Sequence, residues 1–131
     1  MQIRILTCYT HYKTKTLGQR LTMGKKLIPD EIREKVSVVV EKFNQQELKD
    51  MDARYIARFQ GRFLYFDRVT YGQKEPVSRM EYFKEIDKWE FAIFKWSTEI
   101  YDPDECMFSG SEFVDGTVEG AMRAGMKAYP V

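Results

Sequence analysis

The chain has 131 residues, 44% hydrophobic, 31% charged and 15% aromatic. That is the size of one domain, whose folding buries about two-thirds of the unfolded surface without help from a metal or a disulfide. Its 21 Lys and Arg against 20 Asp and Glu leave +1 at pH 7, so no overall charge draws it to nucleic acid or anionic lipid. Two cysteines, Cys8 and Cys106, cannot build a secreted-type disulfide framework and fit a reducing compartment. No run approaches the roughly 18 apolar residues that span a bilayer. A cytoplasmic location with no membrane partner is the expectation.

Residues 1–27 hold Arg4, Lys13, Lys15, Arg20, Lys25 and Lys26 and no acid. Ile3-Arg4-Ile5-Leu6 is too short and too charged for a secretory signal, and two arginines are few for a transit peptide. Met23 stands just before the first helical signature. Residues 1–22 are therefore expected to be a peripheral basic leader and not the native start, with residues 23–131 as a single α+β domain.

Ile28-Pro29-Asp30-Glu31 opens a helix, since proline suits the first turn and acids favour the positive end of the dipole. Ile32, Val36, Val39, Val40 and Phe43 recur at helical spacing, which predicts a helix over about 30–48 despite the β-prone Val38-Val39-Val40. Residues 53–69 form a predicted β-hairpin with Gln60-Gly61 as the turn. That register pairs Arg54 with Asp67 and Arg58 with Phe63. It puts Tyr55, Ala57, Phe59, Leu64 and Phe66 on a core face, and Arg54, Ile56, Arg58, Phe63, Tyr65 and Asp67 on the other.

Two more strands are predicted at 76–83 and 89–97, after the turn-like 71–75. The second carries Trp89, Phe91 and Ile93 on one side and Ala92, Phe94 and Trp96 on the other, so it is covered on both faces or central. Residues 98–116 are expected to be an irregular loop. A last helix over 117–128 has Val118, Ala121, Met122, Gly125 and Met126 in a stripe, with Asp115 as its cap. The expected architecture is a two-layer α+β fold, a four-stranded antiparallel meander flanked by one helix at each end, in the order αββββα.

The chemistry-bearing residues are few. His11 is the one histidine and sits in the leader, so histidine-based nucleophilic catalysis has no partner to work with. Cys106 follows Asp104-Glu105, whose charge suppresses thiolate, and is expected to be inert and semi-buried. Two cysteines 98 positions apart and one histidine make no zinc site. Gly110-Ser111 and Gly116-Thr117 lack the lysine of a phosphate loop. No catalytic residue, metal ligand or cofactor is assigned.

Two features remain as candidate surfaces. Asp102, Asp104 and Glu105 head an acidic stretch with no basic residue between Lys95 and Arg123. They lack a calcium-loop pattern, and the plain reading is a solvated loop, with a docking site for a basic partner or for the leader as the alternative. Arg54, Arg58, Phe63 and Tyr65 share one hairpin face that could stack bases and neutralise phosphates. Phe63-Leu64-Tyr65-Phe66 echoes the end of an RNA-recognition-motif strand, but Gln60-Gly61-Arg62 breaks that signature and the element order differs.

The residues favour a non-catalytic interaction module whose partner is a protein, another or a second copy of itself. The alternative is single-stranded nucleic-acid binding through the arginine-bearing hairpin face, which the near-zero net charge disfavours. A third reading is a carboxylate-based or metal-dependent enzyme using Asp102, Asp104, Glu105 and Asp115.

Overall fold

The computed structural model describes residues 27–131. The expected leader, with His11 and Cys8, lies outside them. Helix α1 (Asp30–Glu47) is followed by strands β1 (Ala53–Gln60), β2 (Phe63–Thr70), β3 (Gln73–Glu81), β4 (Glu90–Lys95) and β5 (Ile100–Asp102). A short 3-10 turn (Ser111–Phe113) then leads to helix α2 (Val118–Ala128). The strands form one antiparallel sheet in the order β1-β2-β3-β4-β5. The α+β class and the meander are as expected, but the described residues form five strands instead of four.

The added strand lies inside the expected 98–116 loop. Ile100-Tyr101-Asp102 is too short to show a period-two pattern, and Pro103 follows it at once. Its pairing is carried by Lys95↔Ile100, Phe94↔Tyr101 and Ile93↔Asp102, across a turn in which Glu99 has φ 55°. β3 also starts earlier than expected, at Gln73, because Tyr71-Gly72 alone make the turn. Both take positive φ, 51° and 81°, as a tight I′-type hairpin requires. β4 is shorter than 89–97, ending at Lys95.

The first hairpin turns one residue later than expected. Gln60 pairs with Phe63, Arg58 with Tyr65 and Ile56 with Asp67, so Gly61-Arg62 are the turn residues. Gly61, at φ 61°, is the first central residue, the position that a II′-type turn reserves for glycine. Moving the turn by one residue shifts each cross-strand partner by two. The side-chain period is also two, so both faces keep their predicted members while every individual pairing changes. Arg54 therefore lies opposite Val69, not Asp67, and Arg58 lies opposite Tyr65, not Phe63.

One face of the sheet carries the core. Tyr55, Leu64, Phe66, Met80, Phe91 and Ile93 pack there with Val36, Val40 and Phe43 of α1 and Val118, Ala121 and Met122 of α2. Val38, in the β-prone run, is turned to solvent while Val36 and Val40 are buried, as helical periodicity demands. Asn44 of α1 fixes the edge strand: its Nδ2 donates to the Tyr55 carbonyl at 3.0 Å, and its Oδ1 accepts the Tyr55 N–H at 2.8 Å.

Helix α2 approaches the sheet through Gly125. A Cβ there would lie 2.5 Å from Tyr55 Oη and 2.6 Å from Val77 Cγ1. Val77 is directed at the helix because it is the extra residue of a β-bulge between Phe66 and Asp67. The helix is capped by Thr117, whose Oγ1 accepts the Gly120 N–H at 3.0 Å, rather than by the expected Asp115. Asp115 acts one step back: its Oδ1 accepts from the Thr117 N–H at 3.0 Å and from Oγ1 at 2.6 Å. Among the described residues no helix is long and apolar enough to cross a membrane.

Candidate functional site

Because α1 and α2 share one face, no described helix covers the other. Alternation in β1 and β2 places Arg54, Ile56, Arg58, Phe63, Tyr65 and Asp67 there. Arg79 of β3 sits opposite Tyr65 on one side and Ala92 on the other, and Phe94 of β4 sits opposite Tyr101 of β5. The predicted hairpin residues Arg54, Arg58, Phe63 and Tyr65 thus share a face.

The rings on this face interlock. Tyr65 and Tyr101 meet edge to face with centroids 5.3 Å apart. Their strands are separated by β3 and β4, about 14 Å at ordinary strand spacing, so Tyr101 must lean across the sheet. The small Ala92, in the row between Arg79 and β5, leaves room for it. Phe94 packs edge-on against both Tyr101 and Trp96 at 5.1 Å, and Phe63 sits 6.2 Å from Tyr65.

Guanidinium groups cover the ring faces. Arg58 lies 4.5 Å from the Tyr65 centroid, and Arg79 lies 4.6 Å from Phe63 and 5.7 Å from Tyr101. Such cation–π contacts are worth about 0.5–2 kcal/mol each, more where water is excluded. Arg58 does not pack over Phe63, the contact that the earlier-turning register would have made.

At the centre lies Asp67, only 4% exposed. Arg58 Nε reaches its Oδ2 at 3.2 Å and Lys74 Nζ at 3.8 Å. The hydrogen bond to Asp67 is the main cause that holds the Arg58 pKa above its usual value. Burial pushes the Tyr101 phenol up as well, with the Asp67 charge adding to it. Arg62 pairs with Glu81 at 2.8 Å. Arg54 and Arg79 are in ion-pair contact with no carboxylate of the described residues.

The acidic stretch is organised differently from a docking loop. Lys95 Nζ lies 3.1 Å from Glu105 and 3.6 Å from Asp102, and these carboxylates raise its pKa, Glu105 foremost. Asp102 Oδ1 also accepts the Asp104 N–H at 3.0 Å, and Glu105 Oε1 accepts the Met107 N–H at 3.0 Å. Two of the three predicted acids are thus committed to one lysine, and Asp104 remains exposed. Among the described residues no group of three His, Cys, Asp or Glu could hold a metal ion. Cys106 is half-buried and is not a free thiol. Its partial burial is as expected from the sequence.

Sequence reasoning missed Arg79, Phe94 and Tyr101 as members of the surface. Arg79 and Phe94 were legible as alternate positions of their strands once their inner faces were known. Tyr101 was not, because its strand is three residues long. Comparison with family models, with curated proteins and with solved structures finds no match.

Proposed function

We propose that this chain is a non-catalytic interaction module that works through the sheet face opposite its two described helices, and that its partner is a second copy of itself. The observation that carries this reading is the continuous layer of Phe63, Tyr65, Phe94 and Tyr101 with Arg58 and Arg79 packed over the rings. Tyr, Trp and Arg dominate the energetically important positions of protein interfaces, because they bury much area while losing little conformational freedom. Here the rings and guanidiniums hold one another in place before any partner arrives.

Charge favours a self-complementary arrangement. The β1 side of the face carries Arg54 and Arg58, and the β5 end carries the exposed Glu99 and Asp104. A two-fold axis parallel to the strands lays β1 of one copy over β5 of the other, so each copy offers arginines to the other's acids. Base stacking is the weaker reading, since a nucleobase must first displace Arg58 from Tyr65 and Arg79 from Phe63.

Sedimentation equilibrium of the full chain, from micromolar to sub-millimolar concentration, tests the proposal. Reversible dimerisation is expected, weakened about tenfold or more by Arg79→Glu if that residue acts as an interface anchor. A monomer at every concentration, or a dimer indifferent to Arg79→Glu, refutes it. Salt-sensitive binding of a mixed-sequence single-stranded oligonucleotide that Arg79→Glu abolishes would transfer the face to nucleic acid.

A further inference from the structure

Arg68 is a buried cation without an anion. Its residue is 7% exposed, on the helix side of the sheet. Nε reaches Thr70 Oγ1 at 3.4 Å, one terminal nitrogen reaches Met126 Sδ at 3.4 Å, and the other donates to the Tyr129 carbonyl. The Tyr55 ring lies 5.8 Å away. All these partners are neutral, and no carboxylate of the described residues is in ion-pair contact with the guanidinium. Burying a charge that no counter-charge offsets is costly even after relaxation. The contact to Tyr129 satisfies a carbonyl at the end of α2, but it uses only part of a five-donor fork.

Arg68 also borders a cleft of about 290 Å³, walled by Pro76, Trp96, Tyr129 and Pro130. That volume is at the small end of ligand sites. Trp96 is 47% exposed and forms an open aromatic wall. Glu75 lines the same cleft and stands directly across the ladder from Arg68. Opposite charges so placed ordinarily close a cross-strand pair. Here the guanidinium is drawn inward by Tyr129 and Met126, and Glu75 stays exposed at the rim.

We propose that this cleft binds a small zwitterionic α-amino acid. Its carboxylate meets the Arg68 fork, its ammonium lies at Glu75, and an apolar side chain packs on Trp96. A planar guanidinium matches a carboxylate in two parallel hydrogen bonds, and the separated Arg68 and Glu75 charges fit the two ends of a zwitterion. The cleft lies on the helix side of the sheet and meets the pairing surface proposed above at Trp96, which also packs on Phe94.

Calorimetric titration of the full chain, with heteronuclear NMR following the Trp96 indole, tests it with three probes. L-Phenylalanine carries both charges, 3-phenylpropanoate lacks the amine, and 2-phenylethylamine lacks the carboxylate. Saturable binding of phenylalanine is expected, with either analogue about tenfold or more weaker, as loss of one charged hydrogen-bonded contact implies. Glu75→Gln should erase the preference for phenylalanine over 3-phenylpropanoate. Arg68→Lys keeps the charge but not the fork, and should cost at least tenfold in affinity. Should that variant fold poorly, Trp96→Ala, at a half-exposed site, should weaken phenylalanine instead. Equal affinity for all three probes overturns the proposal. So does an unmoved Trp96 indole signal, or unchanged phenylalanine affinity in a folded Arg68→Lys or in Trp96→Ala.

Discussion

Replacing Gly125 by alanine sets two physical effects against each other. On helix propensity alone the change should stabilise α2 by about 1 kcal/mol, since glycine is among the poorest helix formers and alanine the best. The packing says the reverse. The new Cβ would stand 2.5 Å from Tyr55 Oη and 2.6 Å from Val77 Cγ1. Val77 is β-branched and stiff, and its place is fixed by the bulge, so it yields little. Tyr55 can yield only by moving its hydroxyl away from the Met122 carbonyl, to which it donates at 2.8 Å in the interior. Overpacking costs about 1–3 kcal/mol, and a buried polar group left unpaired about 1–3 kcal/mol more. Set against the propensity gain, the expected net loss is about 1–5 kcal/mol. Urea unfolding of wild type, Gly125→Ala, Tyr55→Phe and the double variant measures it. Removing the hydroxyl relieves one of the two clashes, so the alanine should cost less in the Tyr55→Phe background than in wild type. A Gly125→Ala protein more stable than wild type would refute the close approach of α2 to the sheet.

Asn44→Ala removes both hydrogen bonds to Tyr55, and the partly buried site predicts a loss of about 1–3 kcal/mol in urea unfolding, with faster amide exchange at Tyr55. Unchanged exchange there would mean that β1 needs no clamp. Alkaline titration should unfold the protein. Burial pushes the Tyr55 phenol up to about 12 from 10.0, and Tyr82, Tyr101 and Tyr129 are raised as well, each mainly by burial. The unfolded phenols ionise first, so the stabilisation is whole below pH 10 and is lost as pH climbs toward 12. For Tyr55 alone that loss amounts to about 3 kcal/mol. Phenolate absorbance should therefore rise together with loss of the circular dichroism signal. Tyrosines that all titrate at their ordinary value in a folded protein would contradict this.

The parts of the fold legible in the sequence are those in which periodicity acts over many residues. Eighteen residues of α1 outvote a valine run of three, and the hairpin faces survive a mistaken turn because partners shift in steps of two. Exact partners are another matter. Gln60-Gly61 and Gly61-Arg62 are both two-residue turns holding the same glycine, and pattern alone does not say which central position it fills. The choice rests on turn geometry, and it decides whether Arg58 covers Phe63 or Tyr65. Features that depend on distant pairing left little local trace. β5 is held by β4 and not by its own sequence, and the acids expected to wait for a basic partner are drawn in by Lys95. Arg68 gave no signal at all, because an arginine on an alternating strand reads as solvent-facing until its helix-side neighbours are known.

The two edges of the sheet bear on how a second copy could pair. An open edge strand usually recruits another chain through its unpaired backbone groups. On β1 those groups are engaged at Tyr55 by Asn44, which imitates a neighbouring strand from α1. On β5 the exposed edge is three residues long and is followed by Pro103, which has no N–H to donate. Edge-to-edge growth is thus blunted at both ends by different means. The two described helices occupy one face, and the ring and guanidinium layer lies on the other. For a chain built this way, face-to-face pairing across Tyr65, Arg79 and Tyr101 is the association that requires no rearrangement of a strand. That is why Asn44→Ala and Arg79→Glu should act on different properties, the first on stability and edge exchange, the second on the proposed self-association.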